Sequence, residues 1–525
     1  MTGEHYIFEE ATAQLITLIE ESTRASQITA KYFIEPAPGT LSRAKSRRHH
    51  IVFGRRGSGK SSLLNKIHSE NLIHRCPSAF VDLEKFKGHI YPDLLLSILI
   101  DTFSEFKIWL DSAAIAPSNK RSFWESISFL QPDKRRADIT ATKALSKKLG
   151  LEIEELNRLL HQEEVVQVST VDNAKISQKS QTGGGIGATS GNVNLGVEAK
   201  SIRAASRFSE KMTAYQSEKH KILQRNVIRY QNIFKEIRSI SNSEVFLILD
   251  DLYHIPKQDQ PDVIDYFHKI AKGGNFWIKI GTVRHRTSHY RNGNPPIGMK
   301  LSDDIDSIDL DVTLEKYSTT KAFLFKVLTE FALDSGADLS SILTDGAKDR
   351  LVLVSGGVAR DFLSLFRKAI EEARERITSG KLSRGGRVTS EDTNRASGKY
   401  YDDKLQELDR DTNDEDRESI EEFIESVRQF CFDRSKTNCI LIEKDRSNDL
   451  NNVVGELVDL KILHQVRTGI SVSKEPGKRF DAYMLDYSFY TGDRTKRNFT
   501  VIDFWKANAS DEILRRVGLI YDRAA

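Results

Sequence analysis

Ile51-Val-Phe-Gly-Arg-Arg-Gly-Ser-Gly-Lys-Ser-Ser-Leu-Leu-Asn-Lys-Ile67 decides how this chain reads: an apolar run, a glycine-rich turn, then an amphipathic run. Gly54, Gly59, Lys60 and Ser61 fit GxxxxGK[ST], with Gly57, Ser58 and Ser62 completing the loop. The glycines let the backbone fold back so that successive N–H groups point inward at phosphate oxygens, at the positive end of a helix. Lys60 is placed to reach the β and γ phosphates, and Ser61 to offer its hydroxyl to Mg²⁺. The reading requires a strand before the loop and a helix after it; the competing one is a glycine-rich turn that binds nothing.

Working outward, a length of 525 residues suggests about three domains, and 39% hydrophobic content is enough for each to bury a core. The net charge of +3 supplies no global pull towards nucleic acid or anionic lipid, so any such site must be a local patch. Cys76, Cys431 and Cys439 are too few and too scattered for a disulfide framework or a zinc knuckle, which suggests a reducing compartment. Acidic residues at Glu4, Glu9 and Glu10, with no apolar run of signal or membrane-span length, lead us to expect a soluble, cytoplasmic protein with no membrane partner.

Residues 1–40 read as a helical leader. Ala79 to Leu83 reads as a second buried strand and Tyr91 to Leu110 as a core-facing helix, so residues 41–110 begin a parallel α/β sheet that residues 206–315 resume. Between them, 111–205 is an insertion: charged helix, then a glycine cluster at Gly183 to Gly187 and an alternation at Val193, Leu195 and Val197 that reads as a hairpin or exposed strand. That cluster lacks a following Lys-Ser and reads as a flexible loop.

Val245 to Asp251 is a strand that stays apolar until two carboxylates appear at its C-terminal end, the end at which open parallel sheets bind ligands. Asp250 suits the Mg²⁺ shell, and Asp251 suits orienting or deprotonating the attacking water. Phe276 to Arg284 is another buried strand turning polar at its end, where Thr282 and Arg284 could sense a γ-phosphate. His285 and His289 lack a third ligand at metal spacing and read as loop residues. Residues 316–400 form a helical lid, with Arg360 in the first turn of a long amphipathic helix, and Lys381 to Glu415 reads as a linker with one short helix. Residues 401–525 read as a separate winged-helix domain and tail, whose helix Leu450 to Leu460 carries acids and no basic residue, poor equipment for reading bases.

On Gly54 to Ser61, Val245 to Asp251, Ile278 to Arg284 and Gly356 to Arg360, followed by helices and a two-stranded wing, the chain resembles the AAA+ and STAND branch of P-loop ATPases, and within it the origin-recognition-like ATPases. The resemblance implies that Lys60 and Ser61 are Walker A, Asp250 and Asp251 Walker B, Thr282 or Arg284 sensor 1, and Arg360 sensor 2. It departs in placing Asp251 where AAA+ members usually have glutamate, in its long insertion, and in offering no assignable arginine finger, although Arg135, Arg136, Arg286 and Arg291 are available. The expected function is an ATP- and Mg²⁺-dependent switch with slow hydrolysis, homo-oligomeric or working on a partner protein through the winged helix or insertion, in bacterial DNA transactions or phage defence. The alternatives are a winged-helix DNA-binding protein with nucleotide as a structural part, and a scaffold built on a dead ATPase.

Overall fold

Ile51, Val52 and Phe53 are buried on both faces of strand β1 (His50–Phe53), as a strand covered by helices on either side must be. The computed structural model describes residues 6–114, 139–181, 193–381, 385–411, 414–444, 448–494, 498–506 and 510–522. In chain order the main elements are α1 (Glu10–Glu21), β1, α2 (Lys60–Ile73), β2 (Ser78–Asp82), α3 (Asp93–Ala113), α4 (Ile139–Gln181), α5 (Val193–Ser241), β3 (Phe246–Asp250), α6 (Gln260–Ala271), β4 (Trp277–Thr282), β5 (Asp306–Asp309), α7 (Tyr317–Ser335), α8 (Asp345–Val354), α9 (Ala359–Thr378), α10 (Ser390–Asp411), α11 (Asp414–Gln429), β6 (Cys439–Glu443), α12 (Asn448–Asp459), β7 (Leu463–Ile470) and β8 (Phe480–Leu485).

Strands β1 to β5 pair in parallel in the order β2-β3-β4-β1-β5. This is an α/β fold built on a five-stranded parallel sheet. Because β1 lies beside β4 while the chain leaves it for the far edge at β2, a crevice opens at the C-terminal ends of the strands, where such sheets bind ligands. Register puts Asp82 beside Asp250 and Phe53 beside Thr282 at that edge.

Among the described residues, the insertion is carried by two long helices, α4 and α5. Near the sheet their side chains are described, and Leu145, Leu149, Leu156, Leu223, Tyr230 and Phe234 join Phe103 and Phe106 of α3 in one buried cluster. Val193, Leu195 and Val197 open α5, correcting the hairpin expectation. Three alternating residues are too few to separate a period of 2 from one of 3.6, and positions 193 and 197 also share a helix face. The cluster Gly183 to Gly187 and the arginines Arg135 and Arg136 lie outside the described residues.

A second correction concerns Lys381 to Glu415, where α10 runs for 22 residues instead of a short helix in a linker. Among the described residues its buried positions are Asp392, Thr393, Ala396, Ser397, Gly398 and Lys404, a face with no apolar period to read. Asp392 is held there by Arg376 of α9, whose Nε and Nη2 donate to it at 2.8 and 3.1 Å. The segment before β1 does more than lead in: Leu15 and Ile19 of α1 are buried in the core that holds Leu324, Phe331 and Leu365 of the lid. That same core continues through Val427, Leu441 and Leu463, so the C-terminal elements are not separate but pack as one body with the lid. Their strands form an antiparallel sheet ordered β6-β8-β7. No helix among the described residues is long and apolar enough to cross a membrane.

Candidate nucleotide site

The loop between β1 and α2 is shaped by Gly57 (φ 88°) and Gly59 (φ 99°), both in the left-handed region that only glycine enters at little cost. At Gly57 the space is closed as well: a Cβ there would sit 2.8 Å from Cβ of Arg360. The Arg360 amide, in the first turn of α9, donates to the Gly57 carbonyl at 3.1 Å. The loop is thus held to the first turn of α9 by a backbone hydrogen bond. Arg55 adds a second clasp. Its guanidinium, 3% exposed, donates to the carbonyls of Val312 at 2.9 Å and Gly356 at 3.2 Å, and its amide to Asp311 at 2.9 Å.

Lys60 is 5% exposed, and its Nζ donates to the carbonyls of Gly54 at 2.9 Å and Arg55 at 3.2 Å, curling over the loop it belongs to. Burial lowers its pKa, an effect opposed by the carboxylates of Asp251 and Asp250. Asp250, 3% exposed, accepts from the Ser61 hydroxyl and from the Asp251 amide at 3.0 Å. Burial first, then the neighbouring Asp251, push Asp250 up to about 7; burial raises Asp251 too. Two carboxyls driven towards their neutral forms form a site short of positive charge, and a divalent cation between Ser61 and Asp250 would supply it. The Ser58 hydroxyl is buried without a partner among the described residues, inside a loop whose amides suit phosphate oxygens. The residues present thus fit a triphosphate with Mg²⁺.

Lys60, Ser61, Asp250, Asp251 and Arg360 all line one cavity of about 500 Å³. Gly54 is not part of that lining; a Cβ there would collide with the Ser58 side chain. The N-terminal segment and the helices after β5 complete the lining with apolar side chains, Phe33, Phe323, Val327 and Leu363, and charged ones, Glu20, Glu21 and Arg24, with Tyr32 stacked on Phe331 at 4.2 Å. Sequence reasoning missed these residues, although the run Tyr32-Phe-Ile34 is visible in the segment before β1. It also missed Gly281 of β4, where a Cβ would collide with the Asp250 carboxylate and with Leu64. Among the described residues one set of potential metal ligands, Glu84, Asp251 and His254, brings its atoms within 4.8 Å of one another, at the same cavity.

Thr282 and Arg284 do not reach the cavity. Thr282 is fully buried, its hydroxyl 2.6 Å from that of Thr287. Arg284 lies over the Phe53 ring at 4.3 Å and donates to Asp309 at 2.7 Å. β4 lies between β3 and β1, so its C-terminal end is beside the loop and the two carboxylates, but the Thr282 and Arg284 side chains are engaged by Thr287 and by Phe53 and Asp309 instead.

The C-terminal elements touch the same region from outside. The His285 amide donates to Asp459 of α12 at 3.1 Å, and the His285 ring occupies the space a side chain at Gly455 would need. Likewise the His464 ring fills the space above Gly356, at the turn into α9. His464 is held by Asp486 at 2.7 Å, and Asp486 also pairs with Lys404 at 2.5 Å, all three buried. Lys461 pairs with Asp361 of α9 at 3.2 Å.

No family model matches the chain, and no curated protein matches it. Among solved structures it is similar to the Walker-type ATPase of Pyrococcus abyssi, at 11% identity over 86% of this chain and 92% of that one, with a TM-score of 0.36. It is also similar to the Orc1 protein of Aeropyrum pernix solved in complex with DNA, at 13% identity over 90% of this chain and 88% of that one, with a TM-score of 0.34.

Proposed function

We propose that this chain is a nucleotide-operated switch that binds ATP with Mg²⁺ in the cavity below the lid and hydrolyses it slowly. The observation that carries the reading is the meeting of Lys60, Ser61, Asp250, Asp251 and Arg360 on one cavity that Phe33, Phe323 and Leu363 also line. In this reading Gly54 to Ser62 wrap the phosphates, Lys60 leaves its loop carbonyls for phosphate oxygens, and the base lies against Phe33 and the lid. Mg²⁺ held by Ser61 and Asp250 would neutralise charge building on the phosphates. Asp251, its carboxyl raised by burial towards the range of a general base, orients the attacking water. Arg360 reads the γ-phosphate while its own amide stays on Gly57, so nucleotide state reaches the lid through one residue. Thr282 and Arg284 have no part in this account.

The output of the switch is the C-terminal body, a winged helix in this proposal, seated on His285 and on Gly356 at the turn into α9. That seating favours a protein partner over DNA, since Gly455 and Asp459 turn one face of α12 to the core. Slow turnover follows from the short Asp251 side chain and from the lack of an assigned arginine finger, which a second copy of the chain could supply. The test is Asp251→Asn: ATP affinity should change less than about threefold, because the position does not bind phosphate, while turnover falls by about 10² or more, the usual contribution of a positioned base. Equal loss of binding and turnover, or no loss of either, would sink the assignment of Asp251.

A further inference from the structure

Arg56 lines the nucleotide cavity from within the phosphate loop itself, half-buried. The Arg55 carbonyl accepts from the Ser58 amide at 3.0 Å, so Arg56 and Gly57 are the two central residues of a tight turn, and the positive φ of Gly57 (88°) suits the second of them. The two adjacent arginines therefore part company. Arg55 is turned under the loop onto the carbonyls of Val312 and Gly356, while Arg56 stands at the corner of the turn and opens to the cavity. Lys60 marks where the phosphates would lie: its Nζ donates at 3.2 Å to the Arg55 carbonyl, part of the peptide group that joins Arg55 to Arg56. On the other side of Gly57, the Arg360 amide donates to the Gly57 carbonyl at 3.1 Å. Arg56 and Arg360 thus flank one glycine at the rim of the loop.

Other sources of a guanidinium for the terminal phosphate are poorer. Arg286 and Arg291 do not line the cavity, and Arg291 is held by the Gln258 carbonyl at 2.9 Å and by Asp262 at 3.0 Å. Arg24 lines it from the N-terminal segment, but it is 89% exposed and faces Glu84 at 3.8 Å. The chemistry makes the need definite. Asp250 and Asp251 set two acids beside the triphosphate, and negative charge spreads over the phosphate oxygens as the γ-phosphoryl group is transferred. A forked donor rooted in the loop that wraps those oxygens meets that charge without reorganising.

We propose that Arg56 is a catalytic residue of the ATPase site, donating its fork to the γ-phosphate and supplying from the same chain the charge otherwise sought from a second copy. The inference rests on the nucleotide reading above and refines it: the short Asp251 side chain then remains as the reason for slow turnover. In the step, the oxygen of a water held by Asp251 forms a bond to the γ-phosphorus. The bond from that phosphorus to the oxygen bridging the β and γ phosphates breaks, and ADP leaves with the electron pair. The proton of the water passes to Asp251 and from there to the released phosphate. Arg56 transfers no proton. It donates hydrogen bonds to the oxygens where charge grows, so its contribution falls on turnover more than on binding.

The test measures turnover and calorimetric ATP affinity side by side in the full-length chain. Arg56→Ala should lower turnover at least about a hundredfold, the scale of an arginine at a transferring phosphoryl group, while ATP affinity falls less than about tenfold. Should that variant fail to fold, Arg56→Gln, which keeps the stem and drops the charge, is read in the same way. An equimolar mixture of Arg56→Ala and Lys60→Ala chains should stay as slow as Arg56→Ala alone, because an arginine that acts within its own loop cannot serve another copy. A loss of turnover below about tenfold, an equal loss of affinity and turnover, or recovery in the mixture to about a tenth of the natural rate overturns the inference. So does a natural chain that binds ATP and never turns it over, which leaves the binding reading standing; a natural chain that does not bind ATP overturns both.

Discussion

Replacing Lys60 by alanine is expected to lower ATP affinity at least a hundredfold in a calorimetric titration with Mg²⁺, while leaving the free protein folded. The size of the loss follows from the bonds removed. An ammonium donating to phosphate oxygens in a water-poor loop contributes about 1.5–3 kcal/mol per bond, and two such bonds exceed the 2.7 kcal/mol that a hundredfold represents. The intact fold follows from the other side of the ledger. Lys60 is buried with its pKa pushed down, so the free protein bears a desolvation cost for keeping a charge there, and the bonds to the Gly54 and Arg55 carbonyls offset only part of it. Alanine removes the cost with the bonds, and the unfolding free energy should move by less than about 1 kcal/mol. Lys60→Arg should also lose binding, since a planar fork does not fit where a point charge curls under its own loop. Affinity unchanged in Lys60→Ala would remove the phosphate reading of residues 54–62.

The largest stability effect is expected at Asp486, far from the loop in sequence. Its carboxylate is fully buried between Lys404 and His464, and those two partners hold its pKa far below the ordinary aspartate range against the pull of burial. Removing one member of a buried charged pair strands the other, and Asp486→Ala should cost about 3–5 kcal/mol of unfolding free energy at pH 7. The pH dependence has a definite sign. A carboxyl whose folded pKa is depressed contributes stability that is complete above its unfolded value near 3.8 and is lost as pH falls towards the folded one. Urea midpoints of the natural chain should therefore drop below about pH 4, and Asp486→Ala should have lost that contribution already at pH 7 and show a flatter acid limb. A variant within 1 kcal/mol of the natural chain at pH 7 would show that the cluster does not hold the C-terminal body to the turn at Gly356.

How much of this was legible in the sequence depended on how the chemistry is laid out along it. The phosphate loop was legible because its residues are contiguous and each type has a reason to be there: two glycines with positive φ, one lysine, one serine. The β3 carboxylates were legible because five apolar residues ending in two acids leave few other readings. Thr282 and Arg284 were misplaced by the same logic. A polar strand end faces a ligand only if its side chains have no nearer partner, and that depended on Thr287 answering the Thr282 hydroxyl and on Asp309 answering Arg284. Helix α10 was hidden because what it buries is Asp392, Thr393 and Lys404, satisfied by ion pairs and hydrogen bonds that have no period in sequence. The apolar part of the cavity lining was hidden by distance: Phe33 and Phe331 meet there only because the segment before β1 packs on helices some three hundred positions later.

The most direct test of the central claim is a crystal structure of the full-length chain grown with Mg²⁺ and a slowly hydrolysed ATP analogue. The account predicts a triphosphate wrapped by residues 54–62, with the metal between Ser61 and Asp250 and the base against Phe33 and the lid. A saturated crystal with that cavity empty, or with the nucleotide bound elsewhere on the chain, would contradict it.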